Sequence, residues 1–213
     1  MSRNAQARRQ ERRSPAERRQ AAMEAALHLL STMPYEEILV EDIAAAAGMS
    51  RPLLYHYFGG KDQVAAAALR WCGDRMLAEV LGSAASAGED WLAAGVHAYV
   101  GYVTDRTDWY RALVRHTYLP GTQMESVRKE VRLRISRGLH ERLAPHGGSS
   151  LLRLLTWGWV GQVETICREW MSRREPSREE LEPLLCELLF ASLRAGAELD
   201  ARTADALRSL TVS

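Results

Sequence analysis

Three cysteines in 213 residues, at positions 72, 167 and 186, are too few and too scattered for a disulfide framework or a structural zinc site. Such a chain is expected in a reducing cytoplasm. No apolar run approaches the length that spans a bilayer, and the first residues lack the apolar core of a secretion signal, so no membrane partner is expected. Charge of one sign is missing too. The 28 Lys and Arg residues face 27 Asp and Glu residues, a net charge of +1 that by itself says nothing about a polyanionic partner. The glycines form neither a P-loop nor a dinucleotide fingerprint. The segment "HERLA" at 140–144 opens like a zinc-protease helix, but Ala144 stands where the second imidazole must be. With no nucleophile, metal set or convergent acid–base pair, the chain reads as a non-enzyme that needs no cofactor.

What is present is helix-forming. Hydrophobic residues make up 46% of the chain, enough for a substantial core, and they recur at i, i+3 and i+4 almost throughout, while period-2 alternation is scarce. The fold class is therefore all-α. A first helix is expected over Pro15–Ser31 and a second over Val40–Ala47, ended by Gly48. Ser50 then caps a short third helix, about Arg51 to Tyr57, with Pro52 in its first turn. Gly59-Gly60 stops it and Lys61 opens the fourth. Longer helices follow near 88–104, 107–118, 122–144, 149–172 and 178–198. Ser177 and Glu180 form a capping box ahead of the last of these, and the final dozen residues are expected to fray. Charge is uneven along this series. Arg3, Arg8, Arg9, Arg12, Arg13, Arg18 and Arg19 precede or open the first helix against only Glu11 and Glu17. Such an arm suits DNA or an acidic surface, or a solvated tail.

Two short helices joined by "AGMS" at 47–50 make a helix-turn-helix, in which the first helix braces and the second presents. Leu54, Phe58 and Met49 are expected to close a small core with Ile43 and Leu27. That leaves Arg51, Pro52, Leu53, Tyr55, His56 and Tyr57 directed at least partly outward. An arginine at the start of such a helix can donate bidentately to guanine, and Pro52 or Leu53 can touch a thymine methyl. Tyr55, Tyr57 and Lys61 suit phosphate oxygens, which set register rather than sequence. On pattern alone, a purely structural helical hairpin stays open as the competing reading.

The segment 17–70 resembles the N-terminal domain of TetR-family transcriptional regulators. The resemblance rests on Ile43, Ala44, Ala47, Gly48, Met49, Ser50, Leu54, Tyr55, His56, Tyr57, Phe58, Lys61 and Asp62. It implies that Arg51, Pro52, Leu53, Tyr55, His56, Tyr57 and Lys61 contact operator DNA, with Arg18 adding a phosphate or minor-groove contact. Three positions depart from the family pattern. Leu39 replaces the usual threonine cap of helix 2, Glu41 stands where a basic residue is common, and Leu53 where a small or hydroxyl residue is common. The implied architecture is a basic, partly disordered arm at 1–16 and a helix-turn-helix domain at 17–62. A larger antiparallel helical domain for effector binding and dimerisation follows at 63–213, about nine helices in all.

The larger domain is rich in aromatic residues with polar tips. Tyr99, Tyr102, Trp109, Tyr110, His116, Met124 and Trp157 can line a cavity for a mostly apolar or aromatic effector, with His116 as the polar contact. Each of them individually also reads as core. Two leucine-rich stretches resemble the helices through which family members dimerise. One seam comprises Leu151, Leu155, Val160, Val163 and Cys167; the other comprises Leu181, Leu185, Leu188, Leu189 and Leu193. A ligand-responsive repressor that binds a palindromic operator as a homodimer is the reading that follows. A regulator whose pocket is vestigial and answers to a protein partner is the alternative, and a helical enzyme a distant third.

Overall fold

Several helices begin where a side chain satisfies a backbone N–H group left over in the first turn: Ser14 ahead of the first, Ser50 ahead of the third and Ser149 ahead of the helix from Ser150. The computed structural model describes residues 14–105 and 123–211. Among these the regular structure is all helical, as expected. The helices are α1 (Pro15–Thr32), α2 (Val40–Ala47), α3 (Arg51–Phe58), α4 (Lys61–Ser86), α5 (Trp91–Asp105), α6 (Gln123–Leu143), α7 (Ser150–Arg173), α8 (Arg178–Ala197) and α9 (Ala201–Thr211). Short 3-10 turns lie at Tyr35–Glu37 and Gly88–Asp90. The helix expected near 107–118 lies outside the described residues. Ser14 and Glu17 form a reciprocal box that starts α1. The last helix is no frayed tail. Asp200 accepts from the backbone N–H of Thr203 at 2.8 Å and from Ser149 Oγ at 2.6 Å, which caps α9 and ties it to the start of α7.

The chain divides into two compact units. The first comprises residues 1–73 and 106–128, the second residues 74–105 and 129–213. In the first, α1 packs against α2, and α2 against α3. Ala22, Ala26 and Leu30 of α1 are buried, as are Ile38, Ile43, Leu54, Val64 and Leu69 of the same unit. Of the alanine run in α2, Ala44 and Ala47 are buried while Ala45 and Ala46 face outward, so close helix approach uses only half of it. Gly48 ends α2 at φ +67°, the left-handed conformation that lets the chain turn sharply into α3.

In the second unit, α8 carries a buried leucine every fourth residue: Leu181, Leu185, Leu189 and Leu193. These pack with Val96 and Val100 of α5, and with Trp159, Val163 and Cys167 of α7. The indole N–H of Trp159 donates to the Leu185 carbonyl at 2.9 Å and that of Trp170 to the Pro176 carbonyl at 2.6 Å, so both large rings are buried without an orphaned donor. Burial pushes the Cys167 thiol up to about 12, which leaves it a packing residue rather than a nucleophile.

A polar staple joins α5 to α8. Arg178 donates from Nε to Glu182 at 2.5 Å and from Nη2 to the His97 carbonyl at 2.9 Å, and His97 Nδ1 donates to Glu182 at 3.0 Å. Burial alone would raise the Glu182 pKa, but the hydrogen bonds and charges of Arg178 and His97 outweigh it and hold the carboxylate below its ordinary value. A depressed folded pKa contributes stability above the unfolded pKa, and that contribution is lost as pH falls through the folded value. Replacing Glu182 with glutamine is expected to lower stability near neutral pH by up to about 1 kcal/mol. In urea unfolding followed against pH, the gap from wild type should close as pH falls below the carboxylate range.

Candidate nucleic-acid interface

A short helix can present side chains only if something else holds it. In α3 a single residue, Leu54, is fully buried. Around it Arg51, Pro52, Tyr55 and His56 are exposed, and Leu53, Tyr57 and Phe58 are half-buried. Ser50 Oγ accepts from the Leu53 N–H at 3.4 Å, a long bond but one placed where a helix cap belongs. His56 and Tyr57 meet edge to face with ring centroids 5.6 Å apart, which holds two of the outward rings in a defined arrangement. The helix ends at Gly59, φ +88°, a backbone conformation that L side chains rarely adopt.

Arg51 does not wave freely. Its Nη1 lies 2.6 Å from Glu41 Oε1, and its guanidinium carbon sits 5.5 Å from the Tyr55 ring centroid. The Tyr55 hydroxyl and then the Glu41 carboxylate both favour the charged form. Arg51 is therefore a charged group at the start of α3, with the Glu41 carboxylate on one side and Tyr55 on another.

Lys61 is more engaged than its expected role as a phosphate contact suggested. It is half-buried, donates from Nζ to the Tyr35 carbonyl at 3.0 Å, and lies 4.2 Å from the Tyr35 ring centroid. The Tyr35 hydroxyl in turn donates to Asp62. Burial, and after it the hydrogen bond to Asp62, raises the phenol pKa well above its ordinary value. One of the three ammonium donors is thus taken up in tying the Tyr35 turn to the start of α4.

Leu39 offers α2 no side-chain cap, as its apolar chemistry requires. Instead, Asp42 reaches back and accepts the Leu39 N–H at 2.9 Å, the reciprocal half of a capping box. Arg18 is half-buried on α1. The neighbouring Arg19, which the sequence did not single out, carries a more defined structural contact. Its Nη1 donates to the Tyr57 carbonyl at 3.0 Å, and its guanidinium covers the Phe58 ring at 4.6 Å. It thereby satisfies a carbonyl of the last turn of α3. No local pattern could have found it, because the partners lie 38 residues apart.

The residues expected to line an effector cavity divide. Trp109, Tyr110 and His116 lie outside the described residues. In the second unit Tyr99 is half-buried against the core cluster, whereas Tyr102 is only 2% exposed and belongs to the interior. Trp157 is half-buried with the Arg132 guanidinium 4.5 Å from its ring centroid, and Arg132 also donates to the Trp157 carbonyl at 3.1 Å. In the first unit Met124 is fully buried. Among the described residues no group of three or more His, Cys, Asp or Glu side chains could hold a metal ion.

The expected dimer seams need correction. Leu181, Leu185, Leu189 and Leu193 are at most 1% exposed within the single chain, and Val160, Val163 and Cys167 are likewise buried, so their own subunit already covers them. They have no area left to bury against a second copy. Leu151, Leu155 and Leu188 are half-buried. The uncovered leucines on the same two helices are Leu154 and Leu184, at 65% and 46% exposure. The leucine repeat had drawn attention to the inner stripe of α8. The outer stripe, Leu184, Leu188 and Ala191, recurs four and three residues apart on the same helix.

The sequence matches two family profiles, "Bacterial regulatory proteins, tetR family" over residues 22–68 and "Tetracyclin repressor-like, C-terminal domain" over residues 89–192. It is 41% identical over 63 residues to the HTH-type transcriptional regulator EthR of Mycolicibacterium smegmatis, a match that spans 30% of this chain and only 29% of that protein. Among solved structures, a tetR-family transcriptional regulator from Streptomyces coelicolor superposes with a TM-score of 0.79 at 26% identity, covering 94% of this chain and 90% of that one. A TetR-like transcriptional regulator from Rhodococcus sp. RHA1 gives a TM-score of 0.68 at 25% identity, covering 86% and 99%.

Replacing Arg19 with alanine removes both the cap of α3 and the cover of Phe58. It is expected to lower stability by about 1 kcal/mol. Urea unfolding should show a lower midpoint with an unchanged slope.

Proposed function

Since this chain belongs to the TetR family and its helix-turn-helix makes it a DNA-binding regulator, we propose that it is a repressor that binds a palindromic operator as a homodimer and is released by a small, mostly apolar or aromatic effector. The observation that carries the reading is the division of α3, with Leu54 buried while Arg51, Pro52, Tyr55 and His56 stand exposed. A helix kept for packing alone would bury more than one of its eight residues.

In this reading the N-terminal part of α3 enters the major groove, where Arg51 reads guanine through O6 and N7. Tyr55, Tyr57 and Lys61 engage phosphates and set the register, joined by Arg18 from α1. Two copies related by a two-fold axis present their reading helices about 34 Å apart, one helical turn of DNA, which is why the operator is palindromic. Leu151, Leu154, Leu155, Leu184 and Leu188 supply apolar surface that the subunit does not cover by itself.

The effector site draws on Tyr99 and Trp157, aromatic groups that the second unit leaves half-exposed. An effector releases the operator only through unequal affinity for two conformations. Moving the population from 1:99 to 99:1 takes about 5.5 kcal/mol of differential binding. Whatever the effector is, it must contact the released form far better than the bound form.

The test is selection of duplexes from a randomised pool, followed by binding measurements over a range of salt concentrations. Arg51→Ala is expected to lose about 1–3 kcal/mol of discrimination at one base pair in each half-site. Lys61→Ala is expected to weaken binding to all duplexes and to flatten the salt dependence. An Arg51→Ala protein that selects the same sequences with the same discrimination contradicts the assignment of base reading to this helix.

A further inference from the structure

We propose that Glu41 is a positioning residue for sequence discrimination: it steadies the Arg51 guanidinium through one donor, and its charge weakens binding to duplexes that do not reward that arginine. This rests on the reading of α3 as the helix that enters the groove.

The geometry is specific. Glu41 lies in the first turn of α2 and Arg51 is the first residue of α3. Ile43 and Leu54 bury the two helices against a common core, and Gly48 sets the turn between them, so the two backbones are fixed before their side chains meet. The contact joins a single nitrogen, Nη1, to one carboxylate oxygen at 2.6 Å. A guanidinium carries five N–H donors in a planar fork. Glu41 takes one donor and the Tyr55 hydroxyl also bonds the guanidinium, whose carbon lies 5.5 Å from the Tyr55 ring centroid, so the donors not so engaged are the ones that can pair with guanine. A long, flexible side chain that would otherwise sample many rotamers is held near one.

The pair is not retained for folding. With 57% and 51% of the two side chains exposed, it lies in water, where ion pairs contribute little to stability. Its consequence falls on binding. A carboxylate at the DNA-facing end of α2 repels phosphate and so opposes attachment to every duplex alike. Only a duplex that pairs with the remaining donors of Arg51 offsets that repulsion. Orientation of the arginine and repulsion of the backbone then act in the same direction, toward a larger gap between matched and unmatched DNA.

The experiment uses the full-length wild type, Glu41→Gln, Arg51→Ala and the double variant. The probes are a duplex that the wild type selects from a randomised pool, the same duplex changed at the base pair that Arg51→Ala no longer reads, and unselected random duplex. Glutamine keeps the length of the side chain and removes its charge. Glu41→Gln is expected to bind random duplex several-fold more tightly, with a salt slope steeper by about one. Its preference for the selected over the changed duplex is expected to fall several-fold. In the Arg51→Ala background the same substitution should still tighten random binding but have no effect on that preference, which a merely structural role for Glu41 would not produce. Unchanged discrimination in Glu41→Gln, or an equal loss in the Arg51→Ala background, overturns the proposal. A wild type that enriches no sequence from the pool overturns the DNA reading itself, and this proposal with it.

Discussion

One buried leucine holds the reading helix in place. An eight-residue helix is too short to persist in water by its own hydrogen bonds, so α3 depends on Leu54, which has no exposed surface, and on its packing against α2. Everything outward on α3 depends on that anchor. The supports at its two ends are of different kinds: Ser50 and the left-handed Gly48 set its start, and Arg19 and Gly59 close its end. Had α3 buried two or three more residues it would be firmer, but with fewer side chains left to read anything. The sequence settles on the minimum of anchoring and the maximum of display.

A second constraint is electrostatic. The chain as a whole is nearly neutral, and the first unit places acids beside its cations: Glu41 beside Arg51, and Asp62 close to Lys61 through Tyr35. Under the proposed reading, selectivity then leans on where these individual cations are held. The second unit handles its charges in another way. Arg132 is stacked on Trp157 and pressed against Gly161, where a Cβ would lie only 1.6 Å from Nη2. Any side chain at that position would displace the guanidinium. The staple of Arg178, Glu182 and His97 serves the same end on the surface, fixing α8 to α5 through groups that remain in contact with water.

Local chemistry made the helix-turn-helix legible in advance. The alanine spacing, Gly48, Ser50, Pro52 and the Gly59 stop each act within one turn of chain, and the helices formed where those signals lie. Three features were not legible because their causes are long-range. Arg19 reaches Tyr57 and Phe58 across 38 residues. Lys61 turned toward the Tyr35 carbonyl through a loop fold that no pattern specifies. The leucine repeat of α8 announced an apolar stripe, but periodicity cannot say whether the cover comes from the same chain or from another; the structure puts α5 and α7 over it. The end of the chain misled for a related reason. Asp200 looks like one acid among mixed signals until Ser149 meets it from 51 residues away and α9 is capped in place.

The central claim is that the outward face of α3 lies against the bases of a duplex. A photoreactive phenylalanine analogue placed at His56, an exposed position on that face, tests it directly: the account predicts crosslinks to bases within the half-sites of duplexes enriched by the wild-type protein, and none from the same analogue at Leu154. Strong crosslinking from Leu154 with none from position 56 would contradict it.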